Sequence, residues 1–157
     1  MPLPCLFPSG EPSLHVSNQT EYGLRAAVTL ARLWPAKFVQ SRELAEQEKL
    51  PSKFLEAILL TLRRGGFLES KVGRDGGYRL SRPPSEIQVG ELVRRLEGRL
   101  TAPQSRRGQD LTPGEVAVQF LNQRLTQATD AVLDEMTLEQ LAEYATRAGA
   151  QHQMYYI

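Results

Sequence analysis

Residues 50–84 read LPSKFLEAILLTLRRGGFLESKVGRDGGYRLSRPP, and few folds accept that order of signals. Phe54, Leu55, Ile58, Leu59 and Leu62 recur at helical spacing, so a helix over 52–64 has one face to bury. Gly65 and Gly66 follow at once and supply the left-handed residue on which helices commonly end. Residues 67–71 and 78–81 then read as two short strands. Between them, Val72-Gly73-Arg74-Asp75-Gly76-Gly77 is a hairpin loop with glycines where positive φ costs little. Pro83 and Pro84 break the second strand.

The flanks read mainly as helix. Residues 1–15 form a Pro-rich lead carrying Pro2, Pro4, Pro8 and Pro12. Asn18, with Glu21 three residues on, is the expected cap of a first helix. Tyr22, Leu24, Ala27, Val28, Ala31 and Leu33 follow at helical spacing, and Trp34-Pro35 ends the run. Ser41 is the expected cap of a short second helix over 42–48, with a turn at 49–51. A fourth helix is expected over 87–97, carrying Val89, Leu92, Val93 and Leu96. A polar linker to residue 113 precedes a long helix over 114–135. Thr137 and Gln140 form a second capping-box pattern, opening a last helix to about residue 147.

Three helices followed by a two-stranded hairpin make a winged helix-turn-helix. The expected architecture is mainly α with a small β-hairpin wing, plus a long C-terminal dimerisation helix. It divides as an extension (1–15), a DNA-binding domain (16–98), a linker (99–113) and dimerisation helices (114–157). Burying the apolar face of the third helix turns Lys53, Glu56, Ala57, Leu60 and Arg64 outward, with Ser52 at the helix start. Such a stripe suits a major groove, where cations read guanine or bind phosphate and Ala57 and Leu60 can touch a thymine methyl. Glu56 is tolerated near phosphates when a cytosine amino group is in reach, so it is expected to filter sequence. In the hairpin, Lys71 and Arg74 supply charge, while Gly73, Gly76 and Gly77 allow close backbone approach to a minor groove, with Tyr78 beside them.

Charge is distributed accordingly. The whole chain carries a formal +1, yet residues 49–82 hold eight Lys or Arg against three Asp or Glu, a net +5. Ala117, Leu121, Leu125, Ala128, Val132 and Met136 form a stripe along the long helix that a second copy of the chain would bury. A homodimer then places two recognition helices on one duplex face. No nucleophile pairs with a base at readable spacing, and the hairpin lacks a phosphate-loop motif, so no enzyme is expected. No apolar run approaches a membrane span and the N-terminus is unlike a secretory signal, so a cytoplasmic protein with no membrane partner is expected.

The runs TEYGLRAAVTLA, LPSKFLEAILLTLRRGGFLES and GGYRLSRPPSEIQVGELVRRLEG resemble the Rrf-two family of bacterial winged-helix regulators, which includes IscR, NsrR, RirA and CymR. The resemblance covers residues 16–100 in detail and the remainder in architecture. It implies a homodimeric transcription factor on a pseudo-palindromic promoter site, third helix in the major groove and wing at the minor groove. It also implies that Glu56 bears on site choice, while Lys53, Ala57 and Val72 depart from the pattern. The family's iron–sulfur members carry three cysteines after the LEG motif; residues 99–112 contain none. No metal site and no cofactor are therefore expected, and the signal would be an effector protein or small molecule. Two alternatives stay open: an atypical iron–sulfur cluster or thiol redox sensor using Cys5, the sole cysteine, and a winged-helix protein-interaction module that does not bind DNA.

Overall fold

A computed structural model describes residues 16–97 and 110–154 of the chain. Six helices and one hairpin follow in order: α1 Asn18–Arg32, α2 Ser41–Glu48, α3 Ser52–Arg64, β1 Leu68–Lys71, β2 Gly77–Leu80, α4 Val89–Glu97, α5 Pro113–Glu135 and α6 Leu138–Met154. A single 3-10 turn, Pro84–Glu86, precedes α4. The expected winged helix-turn-helix is present, with α2 and α3 as its helix pair and the β1–β2 hairpin as its wing.

The core forms where α1 crosses its neighbours. Leu30 and Ala27 of α1 are buried with Leu44 of α2, with Leu55, Ile58, Leu59 and Leu62 of α3, and with Leu92 and Leu96 of α4. Leu138 and Ala142 of α6 join the same cluster, so the last helix returns to the body that carries the wing. Gly23 makes the α1–α4 crossing close: a Cβ there would stand 2.5 Å from Leu96 Cδ1. Of the five apolar residues assigned to the buried face of α3, Phe54 is the exception. It is half-exposed on the shoulder, edge-on to Tyr22 at 5.8 Å.

Several boundaries differ from the sequence expectation, each for a local reason. Ser17 rather than Asn18 caps α1; its Oγ accepts the Thr20 N–H at 3.3 Å. Gln40 rather than Ser41 occupies the cap position of α2. Ile87, expected inside the fourth helix, is extended and fully buried. Its carbonyl accepts the Leu138 N–H at 2.9 Å, and Val89 N–H reaches the Met136 carbonyl at 2.9 Å. This main-chain splice joins the start of α4 to the start of α6. The Thr112–Glu115 capping box starts α5 at Pro113, a position read as linker. Beyond Arg147, α6 continues to Met154.

The long helix is attached at one end. Arg94 of α4 bonds Asp134 at 2.8 Å and Asp130 at 3.1 Å, and Leu133 lies over Gly90. No residue of α5 is buried. Among the described residues, no helix is long and apolar enough to cross a membrane.

Glu97 closes the frame at the other end of α4. Its Oε1 accepts the Thr20 hydroxyl at 2.6 Å and the Ser17 N–H at 3.0 Å, tying the end of α4 to the start of α1. These donors, Thr20 first, hold the Glu97 carboxyl below the ordinary carboxylate range. The stabilisation is therefore full above the unfolded carboxylate's pKa and is lost as pH falls through the lower, folded one. Glu97→Gln is expected to cost about 1 kcal/mol at neutral pH, as expected for the loss of charge-assisted bonds. Urea unfolding at neutral and acidic pH checks this: the gap between wild type and variant should close on acidification.

Candidate nucleic-acid interface

The rotation of α3 about its own axis decides what it shows to solvent. With Leu55, Ile58, Leu59 and Leu62 buried, Ser52, Lys53, Glu56, Ala57 and Arg64 are exposed and Leu60 is half-buried. The geometry of the pair is set from α1. Arg25 Nε bonds Glu48 Oε2 at 3.2 Å, and the Thr29 hydroxyl bonds Glu48 Oε1 at 2.6 Å. Lys49, at φ 56°, then makes the left-handed turn into α3.

The two helices of the pair differ from α1, α5 and α6 at their N-termini. Ser17, Thr112 and Thr137 cap α1, α5 and α6 with side-chain oxygens. Neither α2 nor α3 has a side-chain cap. Their first-turn N–H groups remain available to an outside acceptor, and a helix N-terminus favours an anion such as phosphate.

The wing is tied down at three places. Leu68 pairs with Leu80 and Lys71 with Gly77 in the antiparallel hairpin. Val39 then adds a bridge on the far side of β2: its N–H donates to the Tyr78 carbonyl at 2.9 Å, and Tyr78 N–H returns to Val39 at 2.7 Å. Gln40 Nε2 donates to the Arg74 carbonyl at 3.0 Å, fixing the turn to the start of α2. Below the turn, the Arg79 guanidinium lies 4.4 Å over the Phe38 ring and pairs with Glu69.

The four wing glycine and tyrosine sites therefore sit differently. Gly73, at φ +116°, has open space around it. Gly76 is buried and Gly77 half-buried. A Cβ at Gly77, where φ is +130°, would stand 2.2 Å from the Val39 carbonyl oxygen. Tyr78 is half-buried, its backbone engaged in the bridge. Lys71 and Arg74 are exposed. Phe38, Val39 and Gln40 were not singled out from sequence; a three-residue strand signal between two helices is too short to read by alternation.

Arg25, Arg42, Arg79, Arg82, Arg94 and Arg147 all enter ion pairs within the fold. Lys53, Arg64, Lys71 and Arg74 enter none of the ion pairs among the described residues, and neither do Arg32, Lys49, Arg63, Arg95 and Arg124. Free cations on the outer face of α3 and at the wing tip are the chemistry that phosphate and base edges require.

On α5, Ala117, Leu121, Leu125, Ala128 and Val132 are exposed, Leu121 at 55%. This stripe faces away from Asp130, Leu133 and Asp134, the side of the helix docked on α4. Met136 is half-buried at the helix end, where its carbonyl joins the splice. Val118 and Phe120, also exposed, widen the apolar surface beyond the stripe read from sequence, while Val116 is exposed on the side of the helix that carries Asp134. An open groove of about 830 Å³ lies between the end of α1, Pro84 and α6, lined by Trp34, Leu33 and Ala142 with Arg32, Glu139 and Arg147 at its rim. Charges of both signs there single out no ligand chemistry.

A helix pair with an unpaired cationic face, and a wing fixed beside it, define a winged-helix protein of the nucleic-acid-reading class. Residues 16–144 match the profile of the Rrf2 family, described as iron-dependent transcriptional regulators, and the chain belongs to that family. CymR of Bacillus subtilis is 31% identical over 144 residues, covering 92% of this chain and all of that protein. Two HTH-type transcriptional regulators of Mycobacterium tuberculosis are 36% identical over 89 residues, but the matched stretch spans only 55% of their length. Among solved structures, T. potens IscR superposes with a TM-score of 0.73 at 30% identity, over 87% of this chain and 91% of that one. The B. subtilis CymR structure gives 0.70 at 32% identity, over 84% and 98%.

An iron–sulfur cluster of the usual thiolate kind does not fit the donors this chain offers. Cluster iron takes several thiolates, and the sequence has one cysteine. Among the described residues, no group of three His, Cys, Asp or Glu side chains could hold a metal ion. Cys5 and residues 98–109 lie outside the described residues.

Gly77→Ala is expected to unseat the wing, because the backbone conformation and the Val39 contact both exclude a side chain. Hydrogen exchange should show protection lost at the Val39 and Tyr78 amides while the α3 amides keep theirs.

Proposed function

We propose that this chain is a sequence-specific DNA-binding transcriptional regulator, working in the cytoplasm as a homodimer on pseudo-palindromic promoter sites. The observation that carries the reading is the set of unpaired cations on α3 and the wing tip, beside two helix N-termini without side-chain caps. In this reading α3 enters the major groove. Lys53 and Arg64 meet phosphate or guanine, Ala57 and Leu60 meet thymine methyls, and Glu56 accepts from a cytosine amino group. The first-turn amides at Ser52 meet the phosphate backbone. The wing reaches the adjacent minor groove with Lys71 and Arg74, its backbone brought close at Gly73, Gly76, Gly77 and Tyr78.

The exposed stripe of α5 supports a two-fold pairing with a second copy. The DNA-reading body spans residues 16–98, and α5 is the association element that sets the distance between two such bodies. The chain's donor set supports regulation by an effector protein or small molecule rather than by a family-style cluster. The competing reading, a protein-interaction module, predicts duplex binding without strong salt dependence.

Replacing Lys71 and Arg74 together by Ala should weaken binding across all sequences and flatten the plot of log affinity against log salt by about two units. Titrations of the enriched operator between low and physiological salt check this; an unchanged slope takes the wing off the DNA. Leu121→Asp or Leu125→Asp should place a carboxylate in the pairing face and separate the protomers, with loss of operator affinity. Sedimentation at micromolar concentration reads the outcome, and a variant that stays dimeric moves the interface elsewhere.

A further inference from the structure

Val72 follows β1 at the edge of the wing turn and is 98% exposed, more than any other large exposed apolar side chain among the described residues. A β-branched residue beside a strand ordinarily leans on a cross-strand neighbour. Here Lys71 pairs with Gly77, and the next residue in register is Gly76. Neither glycine has a side chain to cover the valine. The turn that carries it is nonetheless fixed, by Gly76 N–H on the Gly73 carbonyl at 3.1 Å and by Gln40 on the Arg74 carbonyl at 3.0 Å. An uncovered apolar group is thus held out beside two unpaired cations, Lys71 and Arg74.

We infer that Val72 determines specificity: it packs on the minor-groove floor under the wing and selects against guanine by excluding its N2 amino group. The inference rests on the DNA-binding reading given above. In the minor groove, a G·C pair differs from an A·T pair by that one donor. A valine pressed on the floor strips water from the amino group and offers no acceptor, which leaves a buried donor unsatisfied. The Gly73 and Arg74 carbonyls of the turn are each engaged by a bond within the protein and held toward it. Asp75 is a carboxylate that the phosphate field repels from the floor. An A·T floor presents only acceptors, and the cations on either side of Val72 can meet them.

The test uses the full-length protein and a duplex enriched from a randomised pool, with the step under the wing located by hydroxyl-radical footprinting. Three versions of that step are titrated: A·T, G·C and inosine·C. Inosine is guanine without the N2 amino group and keeps the same major-groove edge. Wild type is expected to bind the G·C duplex about ten-fold more weakly than A·T, and inosine·C within about two-fold of A·T, as the loss of one satisfied donor implies. Val72→Asn supplies an acceptor and should bring the three duplexes within about two-fold of one another. Its melting temperature should match wild type, since the side chain touches nothing in the fold. Equal wild-type affinity for G·C and inosine·C, or a Val72→Asn variant that keeps the discrimination, overturns the inference and leaves DNA binding standing. Failure of wild type to enrich any duplex overturns the DNA-binding reading and this inference with it.

Discussion

Burial of Leu55, Ile58, Leu59 and Leu62 against α1 and its neighbours fixes the rotation of α3, and the candidate recognition surface is what that burial leaves over. A helix has one azimuth at which four such residues are all covered. Turning it by one residue in the sense that replaces Leu55 by Glu56 and Leu62 by Arg63 would bring charges into the core, at a cost of several kcal/mol for an unpaired ion. The outward direction of Lys53, Glu56, Ala57 and Arg64 is therefore a consequence of packing. The Arg25–Glu48–Thr29 cluster adds the second coordinate, the attachment of the end of α2 to α1. The Val39–Tyr78 bridge adds the third, the height of the wing.

The C-terminal half follows a different logic. The splice between Ile87, Val89, Met136 and Leu138 locks α6 onto the same core as α3. Between these anchored points α5 stands out with one docked end and no buried residue. About five turns of helix with Val116, Val118, Phe120, Leu121, Leu125 and Val132 in water are a poor end state for a folded chain. That is the physical ground for proposing that a second copy completes it.

The sequence displayed α3 to the residue, because an apolar period of three and four meets a double glycine at its end. It displayed the wing nearly as well, each strand shifting by a residue or so. Adjacent cap candidates were less legible: Ser17 and Asn18, or Gln40 and Ser41, are all residues able to occupy such a position or stand beside it, and only backbone geometry chooses. Phe54 had the right spacing for the core, yet it lies on the shoulder of α3 against Tyr22. The single bridges at Val39 and Gln88 left no periodic trace, since one pair of residues has no alternation to detect. For the candidate surface, residue type and spacing indicated which side chains α3 would expose. They could not show that Gly76 and Gly77 lie against protein backbone, nor that Gln40 holds the turn. The Gly76 contact is with Lys71 across the turn, while those of Gly77 and Gln40 join segments more than thirty residues apart.

Methylation interference tests the central claim most directly, because it separates the grooves chemically: methylated guanine N7 projects into the major groove and methylated adenine N3 into the minor. Two blocks of N7 interference centred about 10 base pairs apart, or a multiple of one helical turn, with N3 interference beside each, are the result this account predicts. Tight, salt-dependent binding with no N7 interference anywhere in the protected region would contradict it, since the exposed face of α3 would then not lie in a major groove.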